Sequence, residues 1–595
     1  MARPLRTRPA TNRRRLRVQE PAHSHAAASG HDDADVVARP RTQSLPVEVA
    51  RQAQREMDRL RRLPAGAPET AQVRAYLQWL WSLPWDNSAP EDADLRHVET
   101  SLRREHLGLS KAKVRILEYL AVRSLKPDLP GPALCLVGPP GTGKSSLGAA
   151  VAHALRRPFV RISVSGTSDV DELGGVARSS PSAQPGKILR ALNEAGVRNP
   201  VLMIDGVDRL AGEAGLKVIE LLMELLDPES CSRFTDRYLG LPFDLSHAVL
   251  LLCANNIELV PDALGERIEV IEIPGYSEDE KLEIARRFLV PKQLHDHGLA
   301  GRDITFPDAA LRLMVRHYTL EAGVRGLSRQ IATVCRKVAR ARVTGDKHRY
   351  ALTPESLERH LGHRIYTPEI IERQDEVGVA HGLAWTAAGG EILVVEALKM
   401  PGSGRVVTTG QLGEVMRESV QAAHSYVRSK ADVLEIDAEA FSNYDIHIHF
   451  PAAGVPKDGP SAGITVGLVI ASVLSEKPIR RDMAMTGEVS LRGKVLIVGG
   501  LREKALAAYR AGIKTILFPA ANVKDLDDVP DDVRAHLELV PVENMDQVFA
   551  LALHRVILPQ RIAGDFVIEV GDGEMEAPEE NPEALRRVAR STRRG

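Results

Sequence analysis

The sequence predicts a multidomain α/β protein: a phosphate-binding α/β sandwich, a small helical domain behind it, and then a second, α+β domain. Three observations carry that prediction. At 595 residues the chain is too long for one hydrophobic core, which stops growing near roughly 250–300 residues. Apolar runs alternate with helical patterns over residues 126–275, as in a parallel sheet covered on both faces. A glycine-rich turn, GPPGTGKS, stands between one such run and a helix.

The totals exclude several classes. Apolar residues at 44% and charged residues at 26% are ordinary for a soluble globular chain. A net charge of −1 gives no overall pull toward nucleic acid or membranes. No uninterrupted apolar run has bilayer length. Cys135, Cys231, Cys253 and Cys335 lie far apart and read as small core hydrophobes of a reducing, cytoplasmic compartment.

In chain order, residues 1–44 lack apolar periodicity and are expected to be a disordered basic tail. Seven arginines and no acid fall in the first seventeen residues. A mitochondrial transit peptide has that composition too, but Pro4 and Pro9 would break its amphipathic helix. Residues 45–125 form a charged helical neck, in which Trp79, Trp81 and Trp85 dock a helix end by packing. Over 126–275, ALCLVG, VLMID, HAVLLLCANN and RIEVIEIPG read as buried strands, and SSLGAAVAHAL as a helix. Residues 276–365 are mostly helical, and 366–377 read as a linker. A second mixed region, 378–560, holds the alternating strand DIHIHF and the helices SAGITVGLVIASVLSE and REKALAAYRAG. The tail, 561–595, is expected to be disordered.

Gly138, Pro139, Pro140, Gly141, Thr142, Gly143, Lys144 and Ser145 fit GxxxxGK[ST] between a strand and a helix. Glycines let backbone N–H groups close around phosphate oxygens, and the helix N-terminus adds positive potential. Lys144 is placed for the outer phosphates, and Ser145 for magnesium. Asp205 ends the next buried strand, where its carboxylate is placed to hold the same ion through water. ATP with Mg²⁺ is the expected ligand. Hydrolysis also needs a base to orient the attacking water, and the next residue, Gly206, has no side chain. Asp208, three residues on, is expected in a segment turning away from the phosphates. Binding with weak or no turnover follows.

KDGPSAG, Lys457–Gly463, follows a strand and opens an apolar helix. Two readings stand side by side: Ser461 as a helix cap after a Gly-Pro turn, or as a nucleophile beside helix N–H groups. His447 and His449 share one face of their strand and read more simply as packing or surface positions than as a base. Lys504 borders an apolar face made by Leu501, Ala505 and Ala508. Spacing alone favours a solvated lysine there, while a buried neutral amine would serve as a base.

At these residues the chain resembles the Lon proteases. The likeness runs from LPVEV near residue 45 to about residue 555, through GPPGTGKSSL, PGYSEDEKLEIA, EAGVRGL, GLAWT, TGQLGEVMRES, PKDGPSAG, AMTGE and GGLREK, in the family's order. The resemblance implies an AAA+ ATPase module, a P-loop sandwich with a small helical domain, joined to an α+β protease domain with a Ser–Lys dyad. By position it makes Ser461 the nucleophile and Lys504 the general base, with Thr486 hydrogen-bonding the lysine. It makes Asn255 the γ-phosphate sensor, Arg267 the arginine finger acting on a neighbouring subunit, and Arg325 the second sensor. A homohexamer acting on unfolded or misfolded protein follows.

Three departures bear on energy use. Gly206 stands where the family has its water-activating glutamate. The pore-loop tyrosine and aliphatic residue, placed before Pro185-Gly186-Lys187, are replaced by Ser180 and Pro181. Only the tail and helical neck, residues 1–125, precede the ATPase module where most relatives carry a long substrate-binding domain. The first two fall on ATP-driven pulling, so the chain resembles Lon-like members that degrade unfolded chains without ATP. The alternatives are a conventional ATP-dependent Lon with a compensating carboxylate, and a non-proteolytic scaffold whose basic tail binds DNA weakly and without sequence preference.

Overall fold

A computed structural model describes residues 45–554, apart from 65–66, 91–93, 127–132, 167–169, 367–373, 387–388 and 452–455. Both expected tails, and most of the expected linker, lie outside the described residues.

The chain divides between Trp85 and Asp86 into two compact units. In the first, α1 (Val47–Arg62) packs on α2 (Pro68–Ser82). Trp81 and Trp85 are buried, and the Trp85 indole N–H donates to the Leu80 carbonyl at 2.8 Å. Trp79 stays partly exposed.

The second unit holds everything else. The neck expected over 45–125 is split: α3 (Leu95–Glu105) and α4 (Ser110–Leu125) share a core with the first sheet through Val98, Leu102 and Ile116. That sheet contains β1 (Ala133–Val137), β2 (Phe159–Ser163), β3 (Val201–Asp205), β4 (Val249–Ala254) and β5 (Ile268–Glu272), in the order β2-β3-β4-β1-β5. Every pairing is parallel. The continuous apolar runs exist because both faces are covered, by α5 (Lys144–Ala154), α6 (Lys187–Ala195) and α7 (Gly212–Leu226) among others. Cys135 and Cys253 lie in adjacent strands, and burial pushes both thiols up to about 12.

The helical domain comprises α8 (Glu278–Ile284), α9 (Val290–Asp296), α10 (Asp308–Tyr318), α11 (Arg325–Val343) and α12 (Pro354–Leu361) around one core. Ser277 and Glu280 form a capping box that starts α8.

The last domain is built on a seven-stranded mixed sheet. Its elements are β6 (Val379–Thr386), β7 (Gly389–Pro401), β8 (Val406–Thr409), α13 (Glu414–Ser429), β9 (Tyr444–His449), α14 (Gly463–Ser475), β10 (Met483–Met485), α15 (Leu501–Ala511), β11 (Thr515–Pro519), β12 (Glu538–Val542) and α16 (Met545–Ala552). The strand order is β8-β9-β7-β6-β10-β11-β12. Residues 463–474 of α14 are all buried, which is why GITVGLVIASVL is apolar on every side. Each of its fully buried Ile, Leu and Val side chains contributes about 1.5–3 kcal/mol. No helix among the described residues is long and apolar enough to cross a membrane.

Candidate active site and nucleotide site

The two chemistries expected from sequence lie in different domains of the second unit. Ser461 sits in a single 3₁₀ turn, Pro460–Ala462, that runs directly into α14. Gly459, at φ 118°, lets the chain enter that turn. The Ser461 carbonyl accepts from the Gly487 N–H at 2.9 Å, and Gly487 returns its carbonyl to the Ile464 N–H at 3.1 Å. The start of α14 is thereby tied to the strand end at AMTGE.

Thr486, fully buried, joins the two halves of the site. Its hydroxyl donates to the Ser461 carbonyl at 3.3 Å and accepts from Lys504 Nζ at 2.9 Å. Lys504 projects from the first turn of α15 and is only 2% exposed. Burial lowers its amine to about 8, with the neighbouring Glu503 opposing the shift. The solvated lysine favoured by spacing is therefore not what the fold makes: the sheet covers the side chain. No hydrogen bond joins Ser461 Oγ to Lys504 Nζ among the described residues. His447 and His449 share a face, as the strand period requires, and both bond the Thr409 hydroxyl, at 2.9 and 2.7 Å. Neither bonds Ser461.

The nucleotide loop has the shape a phosphate needs. A Cβ at Gly138 would lie 2.0 Å from the Ile273 carbonyl oxygen, and Gly141 and Gly143 have φ of 82° and 91°. Pro139 and Pro140 shape the turn between them, with the Pro139 carbonyl accepting from Thr142 Oγ1 at 2.8 Å. Lys144, 8% exposed, donates to the Pro139 carbonyl at 3.0 Å and to Asn255 Oδ1 at 3.1 Å. Burial lowers its amine, and Cys253, Asp205 and Asp208 oppose. Ser145 is half-buried beside it.

Asp205 ends β3 as expected, but it is engaged by a residue that sequence reasoning missed. Arg161 on the adjacent β2 donates to its carboxylate through Nε at 3.0 Å. The expectation for Asp208 is corrected. The segment turns back rather than away, and Asp208 Oδ2 accepts the Asn255 N–H at 2.9 Å. Its other oxygen is buried. Gly206 takes φ 90°, and a Cβ there would come within 1.9 Å of Ser165 Oγ. Arg267 pairs with Asp227 of its own chain at 2.9 Å. Arg325 opens α11, its backbone against Gly141 and its side chain exposed. Ser180 and Pro181 lie on a surface hairpin closed by the Val176–Gln184 bridge.

Other residues near the loop were also missed. His106 Nε2 lies 3.2 Å from Ser146 Oγ and beside Gly143. Tyr276 OH donates to the Thr142 carbonyl at 2.7 Å. Only the segment holding Tyr276, PGYSEDEK, gave a signal, and it gave it as family likeness rather than as chemistry.

Fold and geometry together define an AAA+ ATPase module with a helical lid, followed by a mixed-sheet protease domain carrying a buried lysine beside a helix-opening serine. Family models match in that order. Residues 134–275 match the ATPase family associated with various cellular activities, 295–350 the Lon protease AAA+ ATPase lid domain, and 351–555 the Lon protease (S16) C-terminal proteolytic domain. The Lon protease of Dictyoglomus thermophilum is 48% identical over 86% of this chain and 65% of its own length. Lon protease 2 of Sorangium cellulosum is 46% identical over 90% of this chain and 67% of its own. The Lon protease of Desulforamulus reducens is 47% identical over 86% and 63%. The chain belongs to the Lon protease family, and it spans about two thirds of the length of these curated relatives.

Proposed function

We propose that the chain is a serine endopeptidase that cleaves unfolded or damaged polypeptides, with Ser461 and Lys504 as its dyad. The observation that carries this reading is the buried Lys504 amine, lowered to about 8 and linked through Thr486 to the nucleophile turn. A neutral lysine takes the Ser461 hydroxyl proton as Oγ attacks the peptide carbonyl. The N-terminus of α14 offers N–H groups to the developing oxyanion. Lys504 then gives its proton to the leaving amine, and water resolves the acyl-enzyme. Thr486 holds the amine in place throughout.

The loop residues 138–145, with Asp205, Asn255 and Arg325, fit a magnesium nucleotide, and the family resemblance makes Arg267, paired in its own chain with Asp227, the residue that acts on a neighbouring subunit of a hexamer. The names of the relatives favour a conventional Lon protease and say nothing of weak turnover. A second reading, binding with slow hydrolysis, is favoured by one local feature: Gly206 supplies no base. Ser180 and Pro181 in the hairpin point the same way.

One set of assays on the purified chain tests both readings. Ser461→Ala should lower cleavage of an unstructured protein by at least about 10³-fold; unchanged cleavage refutes the dyad, and a wild type that cleaves nothing leaves the scaffold reading. ATP turnover is measured alongside. Robust hydrolysis, with a stably folded substrate degraded only when ATP is present, decides for the conventional reading and against slow turnover.

A further inference from the structure

We propose that Asp208 is the acid that orients and deprotonates the water attacking the terminal phosphate. The inference rests on the nucleotide reading above and supplies the base that its conventional form needs.

The position after Asp205 is closed to a side chain. Gly206 takes φ 90°, and a Cβ there would lie 1.9 Å from Ser165 Oγ. A base must therefore reach the phosphates from elsewhere. Burial lowers the Lys144 amine; beside the Cys253 thiol, the groups that oppose the shift are Asp205 and Asp208. These are the two carboxylates near enough to act on the phosphate lysine. Asp205 is already engaged: Arg161 Nε donates to its Oδ2 at 3.0 Å, and its place at the strand end assigns it to the magnesium ion. Asp208 is the acid that remains.

The fold fixes Asp208 where a base would work. The Gly206 N–H donates to the Cys253 carbonyl at 2.9 Å, and the Arg209 N–H closes back on the Gly206 carbonyl at 3.1 Å. These bonds frame the 3₁₀ turn Val207–Arg209, and the fully buried Val207 seats it against β4. Asp208 Oδ2 then accepts the Asn255 N–H at 2.9 Å, and the Asn255 side-chain oxygen accepts from Lys144 Nζ at 3.1 Å. Two hydrogen bonds thus link the carboxylate to the amine placed for the outer phosphates.

The two oxygens of Asp208 differ. Oδ2 holds the Asn255 backbone. Oδ1 is buried and has no hydrogen-bond partner among the described residues. A buried carboxylate oxygen left unpaired costs more than a neutral group in the same place. A fold that keeps one keeps it for a partner that arrives with the chemistry. A water ordered by Oδ1 attacks the terminal phosphorus. One of its protons passes to Asp208, the bridging oxygen leaves with the electron pair of the broken P–O bond, and the proton is given up to solvent as the products depart.

The test uses the full chain. Phosphate release gives kcat and KM for ATP with Mg²⁺, and a fluorescent ATP analogue gives affinity. Chromatography of the nucleotide retained after isolation from ATP shows whether it is ATP or ADP. Asp208→Asn keeps an oxygen for the Asn255 N–H and loses the base. It should lower kcat about 10²- to 10⁴-fold, leave affinity within about twofold of wild type, and retain ATP. Asp208→Ala loses both oxygens, so analogue affinity should weaken about threefold or more as well. A purely structural Asp208 gives the opposite result: Asp208→Asn turns over like the wild type, and that outcome overturns the proposal. Should Asp208→Asn not fold, Asp208→Glu and Asp208→Gln decide, because they match in size and only the first carries an acid; equal turnover overturns it. A wild type that binds ATP without hydrolysing it also overturns it and leaves the slow-turnover reading. A wild type that binds no nucleotide refutes the nucleotide reading, and the proposal with it.

Discussion

Lys144 and Lys504 are both buried lysines in the first turn of a helix, and both amines are lowered by burial. They differ in what surrounds them. Lys144 faces loop carbonyls and the Asn255 amide oxygen, with Asp205 and Asp208 near enough to favour its charge. Lys504 has one hydroxyl partner and one opposing carboxylate, and it falls to about 8. On the proposed reading, the same side chain serves as a phosphate-binding cation in one domain and a proton acceptor in the other. Lys504 is the more deeply buried of the two and has fewer neighbours that favour its charge.

The comparison breaks most sharply if Lys504 tolerates a permanent charge. Lys504→Arg should lower peptide cleavage about 10²- to 10⁴-fold, because a guanidinium does not deprotonate in this range; steady-state kinetics on an unstructured substrate reads the effect, and near-normal activity would remove Lys504 as base.

A smaller effect sharpens it. The active form of Lys504 is the neutral one, so cleavage should rise with pH through about 8 and flatten above. From pH 7 to 8 the neutral fraction grows about fivefold. Nucleotide affinity, which uses a charged Lys144, should not follow that curve. Thr486→Val removes an oxygen that favours the ammonium. It should cost cleavage about 5- to 30-fold and move the rise to lower pH.

The smallest effect concerns the strand end beside Lys144. Gly206→Ala places a Cβ at φ 90° and against Ser165 Oγ. It should cost about 1–2 kcal/mol from the left-handed backbone alone, read as a melting temperature several degrees lower. An unchanged melting temperature would show that the turn relaxes freely. The same geometry means that Gly206→Glu is not a simple restoration of a catalytic acid.

Much of this was legible in the linear sequence where chemistry is local. The phosphate loop needs consecutive backbone groups and glycines, so GPPGTGKS declared its turn, its helix and its ligand class. The buried strands VLMID and HAVLLLCANN announced a covered parallel sheet, and GITVGLVIASVL an apolar helix. Likeness across many segments placed Ser461, Thr486 and Lys504 in one family.

Tertiary structure alone decided the rest. Spacing leaves Lys504 solvated, and only the sheet packed over α15 lowers its amine. Its place three residues past Asp205 put Asp208 in a segment expected to turn away from the phosphates, and a 3₁₀ turn after Gly206 brings it back to the Asn255 N–H. Arg161, Tyr276 and Arg502 act on partners 44, 134 and 227 residues away. A sequence read by short periods carries bonding between neighbours along the chain, but burial and long-range partners exist only once the chain has folded.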